Sequence, residues 1–209
     1  RVTGGKACLR ILSNLAVHRL ARARVTITKE AVGGGDVVDG VIKAYRFAAA
    51  DPFRAATHNK GVMNGVSAAV AATGNDTRAI ESGAHAYAAI SGQYSPLTRW
   101  EKDVEGNLCG SIEMPMAVGL VGGATRTHPA ARVAVKILGA KSAGEMAEAY
   151  AALGLAQNLA ALRALATEGI QRGHMSLHAR NIVSSIGVTG DAGDAIVKRM
   201  IEEKNINAE

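Results

Sequence analysis

Aromatic side chains are scarce in this chain: 3% of 209 residues, made up of one Trp, two Phe and four Tyr. Its core must therefore be filled by Ala, Val, Leu and Ile, and few rings remain to stack on nucleobases. Pro is rarer still, with 4 against 24 Gly, which argues for close-packed helices with glycine turns and against a proline-rich linker protein. The two cysteines, Cys8 and Cys109, lie far apart without metal-type spacing. With no signal-peptide architecture before them, they point to reduced thiols and a cytoplasmic protein. No apolar run approaches the roughly 20 residues of a membrane span, so no membrane partner is expected. A starting methionine is lacking too: Arg1-Val-Thr-Gly-Gly runs soon into a strand-like stretch, as in a piece of a longer protein.

What is present is 48% hydrophobic residues, ample for a core, and a formal charge of +6. Such a balance suits nucleic acid or a phosphate-bearing coenzyme. The basic residues are dispersed, with the densest group at Arg19, Arg22 and Arg24. Without aromatics to interleave, nucleic acid is not expected as a partner. A nucleic-acid binder would betray itself by a strongly salt-dependent affinity.

Strand patterns occur at Cys8–Ser13 and Arg24–Thr28, the second with Val25 and Ile27 alternating with polar residues. Asp36 is placed to cap a helix carrying Val37, Val38, Val41, Ile42 and Tyr45 on one stripe, ended by Asp51-Pro52. Further helices are expected over 58–72 and 76–89, then a hairpin over 97–114 turning at Glu105-Gly106-Asn107. A glycine-rich turn at Gly119–Thr125 precedes a helix from Pro129 to Leu138. Ser142-Ala-Gly-Glu145 is a capping box before two helical runs that meet near Gly154. The second run carries Gln157 and Asn158 as polar exceptions on a core stripe. A buried amide there needs a partner, for which a substrate is one candidate. Helices over 174–186 and around Ile196–Ile201 close the chain.

The segment from Arg54 to Asp76 is the richest in chemistry, placing Arg54, His58, Lys60, Asn64 and Asp76 among small apolar residues. A lysine desolvated by such neighbours acts strongly on a nearby substrate oxygen. Asp76 follows a helix-length apolar run and is expected to fold back beside Lys60 as its partner. The pattern reads as an ammonium–carboxylate pair that polarises a carbonyl. Plainer readings stand beside it: Lys60 as a surface lysine, Asp76 as a helix N-cap, Arg54 as a turn cap, and Gly119–Thr125 as a tight turn. His174 and His178 share a helix face, but the spacing lacks the glutamate of the zinc-protease pattern and a third ligand, so no metal is expected. His178 is expected to be a hydrogen-bonded packing residue.

Four longer motifs carry a resemblance: Thr57-His-Asn-Lys-Gly-Val-Met-Asn-Gly65, Thr73-Gly-Asn-Asp76, Gly119-Leu-Val-Gly-Gly-Ala-Thr125, and the run from Leu155 to His178. Together they resemble the bacterial (class II) hydroxymethylglutaryl-CoA reductases over essentially the whole chain. The resemblance implies an α+β fold in three parts. Residues 1–30 would end a small, ferredoxin-like NAD(P)-binding domain, and 31–170 would form the second half of a large, mainly helical acyl-CoA substrate domain with a small β hairpin. Residues 171–209 would form a shortened helical C-terminal flap. It implies interconversion of hydroxymethylglutaryl-CoA and mevalonate plus CoA by two hydride transfers, with NAD(H) or NADP(H) as cofactor and NAD(H) the first expectation. It also implies a homodimer or higher homo-oligomer whose active sites lie at the subunit interface.

Carried over residue by residue, Lys60 would stabilise the oxyanion, Asp76 would orient it, and His174 would protonate the departing CoA thiolate. Arg54, Asn64 and Gln157 would hold substrate, and Asn14 would sit where substrate meets the nicotinamide. The Gly119–Thr125 turn would be the glycine loop near the site. Ser67 and Thr77 depart from the aspartate and tryptophan of the pattern. The family's catalytic glutamate loop and its Asp-Ala-Met-Gly cofactor motif have no counterpart. A catalytically incomplete CoA-ester-binding fragment is therefore the alternative to an enzyme, and the fragment alone is expected to be inactive.

Overall fold

The computed structural model describes residues 3–167, 170–203, 205 and 206; of residues 170–174, 176 and 177 it describes the backbone alone. Three strands, β1 (Leu20–Ile27), β2 (Thr98–Lys102) and β3 (Leu108–Pro115), form one antiparallel sheet in the order β1-β3-β2. Residues alternate across it as pleating requires. Ala21, Ala23, Val25, Trp100, Leu108 and Ile112 face the core, while Arg22, Arg24, Arg99 and Glu101 face outward. The β2–β3 hairpin turns at Gly106, whose φ of 88° favours a residue without Cβ, as the sequence indicates.

Helices cover the inner face. After the short α1 (Lys29–Val32) come α2 (Gly35–Ala50), α3 (Pro52–Ala72) and α4 (Thr77–Ala88); after the sheet hairpin come α5 (Gly123–Thr127), α6 (Pro129–Leu138) and α7 (Ala143–Ala166). The α7 helix is the axis of the domain, packing on α2, α3 and the sheet. Its buried positions are Met146, Tyr150, Ala151, Gly154, Leu155, Asn158 and Leu162, among others. The scarcity of aromatics is answered by one ring: Trp100 is the largest fully buried side chain, surrounded by Val, Ala, Leu and Met.

Several boundaries differ from the sequence expectations, each for a physical reason. The α3 helix starts at Pro52 rather than near residue 58. Pro52 has no N–H to lose at a first turn, and Asp51 Oδ1 accepts from Phe53 N at 3.0 Å. Asp36 lies in the first turn of α2 and makes no cap; Gly34 occupies that position. Helix α7 runs unbroken through Gly154, because the glycine is a contact point and not a break. A Cβ there would lie 2.9 Å from Val66 Cγ2 and 3.1 Å from Val62 Cγ1 of α3. Ser142 caps α7 as expected, with Glu145 N donating to Ser142 Oγ at 3.1 Å, while the Glu145 carboxylate reaches one residue further back and accepts from Lys141 N at 2.9 Å. Cys8–Ser13 is not a strand. No neighbouring strand pairs with it, and Leu9, Ile11 and Leu12 are exposed, Leu12 at 95%.

The last helices, α8 (Ile170–Ser185) and α9 (Gly190–Glu202), pack on each other around Ala179, Val183 and Val197, a cluster of their own. The α9 helix begins at Gly190, ahead of the Ile196–Ile201 stretch around which it was expected.

Candidate active site

Lys60 and Asn64 stand four residues apart on α3 and therefore share one face. Both are exposed, on a stripe formed by Phe53, Thr57, Lys60, Asn64, Ala68 and Ala71. Phe53 on that stripe is 85% exposed. Gln157 comes from α7 and lies against α3 at Gly65, where an added Cβ would meet its Cβ at 3.2 Å. The fold thus sets Gln157 against α3 one residue along from Asn64, because α3 and α7 approach closely at two glycines, Gly65 and Gly154.

Asp76 is elsewhere, and the expectation that it returns to Lys60 within one chain does not hold. The chain leaves α3 through a turn in which Asn75 N donates to Val70 O at 3.0 Å. Val70 is ten residues beyond Lys60, about 15 Å along a helix axis. Asp76 Oδ1 instead accepts from Ala79 N at 3.1 Å, capping α4, with the exposed Arg78 at 3.9 Å. Lys60 has no ion pair or hydrogen bond among the described residues and is not shielded from water by this chain alone. Two half-sites result, one around Lys60 and one around Asp76.

The second half-site is firmly built. Asn75 Oδ1 accepts from Gly119 N at 2.8 Å, tying the start of the glycine loop beside Asp76. The loop approaches so closely that a Cβ on Gly74 would lie 2.9 Å from Thr125 N. Thr73 Oγ1 bonds Tyr150 Oη of α7 at 2.7 Å, fixing the turn from behind.

Arg54 lies in the first turn of α3, half-buried, and burial lowers its pKa. It is six residues before Lys60, so the two side chains leave the helix roughly 120° apart. Asn14 is exposed, and its carbonyl lies over α4: a Cβ on Gly83 would come within 2.5 Å of Asn14 O. His174 lies in α8, with its side chain outside the described residues. His178 is exposed and does not pack. Among the described residues no group of three or more metal-ligating side chains occurs.

Sequence reasoning missed a buried polar chain behind α3. His58 Nε2 lies 2.6 Å from Thr98 Oγ1, which donates to Asn158 Oδ1 at 2.9 Å, and Trp100 Nε1 donates to the same oxygen at 2.8 Å. The Asn158 oxygen is therefore partnered by protein. Beside it, Asn59 donates to Ser95 O and accepts from Leu97 N, both at 2.9 Å. The signal was available in part: a lone tryptophan in a core needs an acceptor for its N–H.

Comparison with known proteins places this geometry. The family model described as hydroxymethylglutaryl-coenzyme A reductase matches residues 1–179. The chain belongs to that family. A 3-hydroxy-3-methylglutaryl-coenzyme A reductase of Archaeoglobus fulgidus is 62% identical over 206 residues, covering 99% of this chain and 47% of that protein. A probable 3-hydroxy-3-methylglutaryl-coenzyme A reductase of Borreliella burgdorferi is 38% identical, covering 86% of this chain and 43% of that protein. Among solved structures, the Streptococcus pneumoniae reductase superposes with a TM-score of 0.75 at 41% identity, over 95% of this chain and 48% of that one. A class II form from the same organism, bound to NADPH in open conformations, gives 0.73 at 40% identity, over 94% of this chain and 49% of that one. The chain spans about half the length of the relatives it matches.

Proposed function

We propose that this chain forms the acyl-CoA side of a hydroxymethylglutaryl-CoA reductase, whose reaction centre is completed by a second copy. The observation that carries this reading is the placement of Lys60 and Asn64 on an exposed stripe beside Gln157, with Asp76 beyond reach in the same chain. In a two-fold pairing, residue i meets residue j and j meets i. Two α3 helices laid antiparallel along the exposed stripe bring Lys60 of each toward the turn that carries Asp76 in the other, since that turn folds back to the Val70 level at the far end of the helix. Ala68 and Ala71 are small enough to let the helices approach.

The net reaction takes hydroxymethylglutaryl-CoA, two reduced nicotinamides and two protons to mevalonate, free CoA and two oxidised nicotinamides. The nicotinamide supplies hydride to the carbonyl carbon when bound. Lys60 holds a positive charge where the carbonyl oxygen gathers electrons, and Asp76 from the second copy orients that ammonium. Arg54, Asn64 and Gln157 bind and orient the acyl group. His174 delivers a proton to the leaving thiolate, so that CoA departs neutral. The described residues offer the cofactor little beyond the exposed Asn14, whose backbone carbonyl lies against α4 at Gly83 and whose side-chain amide has no partner among them. That fits a cofactor held mainly by residues outside this half, NADP(H) or NAD(H) alike. We assign 1–30 to the end of the cofactor domain, 31–170 to the substrate domain and 171–209 to the flap. Free Cys8 and Cys109, together with the lack of any membrane-length apolar helix among the described residues, support a cytoplasmic setting.

The test joins this chain to the half of the Archaeoglobus fulgidus relative that it does not cover. Lys60→Ala and Asp76→Asn are each expected to lower turnover about 10²–10³-fold. The two inactive variants, unfolded together and refolded, should recover roughly a quarter of the normal rate: half the dimers are mixed, and each has one intact site of two. No recovery would mean that both residues serve the same chain, and near-normal turnover of Lys60→Ala would remove the reading altogether. Acyl-CoA binding without any cofactor oxidation in the unmutated protein would favour a non-catalytic binding module.

A further inference from the structure

His58 is 2% exposed, yet its Nδ1 is a buried polar atom without a partner. The protonation state of its ring follows from its neighbours. The indole nitrogen of Trp100 can only donate, so the Asn158 atom 2.8 Å away is the amide oxygen. Thr98 Oγ1, 2.9 Å from that oxygen, must spend its single hydrogen there. It is left with lone pairs toward His58, so the proton between them sits on His58 Nε2. Burial, and secondarily the charge of Arg54, lower the His58 pKa to about 4, which keeps the ring neutral at pH 7. A neutral ring with its proton on Nε2 has a bare lone pair on Nδ1. An unmet acceptor at this depth is costly, so a donor is called for.

Charged and titratable groups face the ring from two elements. Arg54 precedes it by one turn on α3, and Tyr45 of α2 has its ring centroid 6.4 Å away. Arg99 and Glu101 of β2 lie near enough to Tyr45 to act on it electrostatically. Arg54 is half-buried with no ion pair or hydrogen bond among the described residues, and no acid acts on it. Side chains on a helix lean toward its N-terminus, which carries the His58 ring over the Arg54 turn.

We propose that His58 is a positioning residue for Arg54: by turning about its side-chain bonds Arg54 brings its guanidinium to donate to the His58 Nδ1, which no group meets in the present conformation, and is fixed there without being neutralised. A carboxylate at this place would hold Arg54 equally well but cancel the charge that an anionic ligand needs. A neutral imidazole supplies the acceptor alone. That the ligand is the free carboxylate of the acyl group rests on the function proposed above, whereas the contact does not.

The experiment is ¹⁵N NMR of the 209-residue chain with labelled histidine at pH 7, read at His58 Nδ1. The expected result is a resonance upfield of a free, unprotonated ring nitrogen. It should move downfield to the free value in Arg54→Met, which keeps the stem and loses the donor, and return most of the way in Arg54→Lys. Tyr45→Phe should leave it unchanged. The Trp100 indole proton, unmoved throughout, verifies that the buried chain is intact in each variant. A resonance already at the free value, or one indifferent to Arg54→Met, overturns the proposal, the latter pointing to an ordered water as the donor. Loss of the shift in Tyr45→Phe also overturns it. If the Arg54 variants behave as expected but added 3-hydroxy-3-methylglutarate leaves the resonance still, the contact stands and the proposed substrate is what fails.

Discussion

Replacing Asn158 by Leu tests the physical basis of the site most directly. The substitution keeps the branched shape and the number of heavy atoms, with some added bulk, but removes an oxygen that two buried donors share. Trp100 Nε1 is left without an acceptor, and so is the Thr98 hydroxyl. Each orphaned donor costs about 1–3 kcal/mol, so the expected loss is about 2–6 kcal/mol. Domains of this kind are stable by roughly 5–15 kcal/mol in total, so the effect should be large. In chains of this length each kcal/mol moves the melting point by about 2–4 °C, which predicts a fall of roughly 5–20 °C. Urea unfolding followed by Trp100 fluorescence reads both the midpoint and the slope. Thr98→Val, made alone and together with Asn158→Leu, completes a double-mutant cycle. Because the two residues share one hydrogen bond, the double variant should be more stable than additivity predicts by about 1 kcal/mol or more. An Asn158→Leu loss below about 1 kcal/mol, or strict additivity, would refute the claim that this chain of hydrogen bonds joins α3, α7 and the sheet.

Two further outcomes follow from the same core. The His58 pKa falls from 6.5 unfolded to about 4 folded, mainly by burial, so the unfolded chain takes up protons first as pH drops. Stability that is full above pH 6.5 should then decline toward pH 4, by about 2 kcal/mol at pH 5. The stability gap between the native chain and His58→Gln isolates this effect from the carboxylates, and a gap constant between pH 7 and 5 would contradict it. Gly110→Ala should cost about 1–3 kcal/mol, because its Cβ would lie 2.3 Å from Trp100 Cζ3 and the ring is tethered through Nε1. Unchanged melting and unchanged Trp100 emission would show that the ring has room to move.

Local chemistry was legible in the sequence wherever a few neighbouring residues decide the outcome. Asp76 as a cap, Pro129 at a helix start, Gly106 in the hairpin and Ser142 with Glu145 all follow from backbone groups within a turn of one another. The errors arose where a distant element decides. Gly154 looks like a break until Val62 and Val66 of α3 are seen against it. Cys8–Ser13 has the composition of a strand but no strand beside it, and a ladder requires two. His58 and Asn158 looked like unrelated polar residues, because Thr98, which joins them, lies 40 positions from one and 60 from the other.

The Lys60–Asp76 separation is of the same kind, and under the proposed pairing its resolution lies outside the single chain. The helix-length run after Lys60 was expected to let Asp76 fold back beside the lysine, whereas an α3 unbroken to Ala72 makes it a spacer of nearly fixed length. A rigid spacer between two halves of a site keeps them apart in one molecule and sets their register when two molecules pair. The same helix presents Phe53 and a line of small residues to solvent along that stripe. The rigidity that defeats an active site within one chain is thus what a shared site needs, and continuous helicity from Pro52 to Ala72 becomes a functional requirement of the sequence. The low bulk of the stripe follows too: large side chains at Ala68 or Ala71 would hold two such helices apart and leave Lys60 in water.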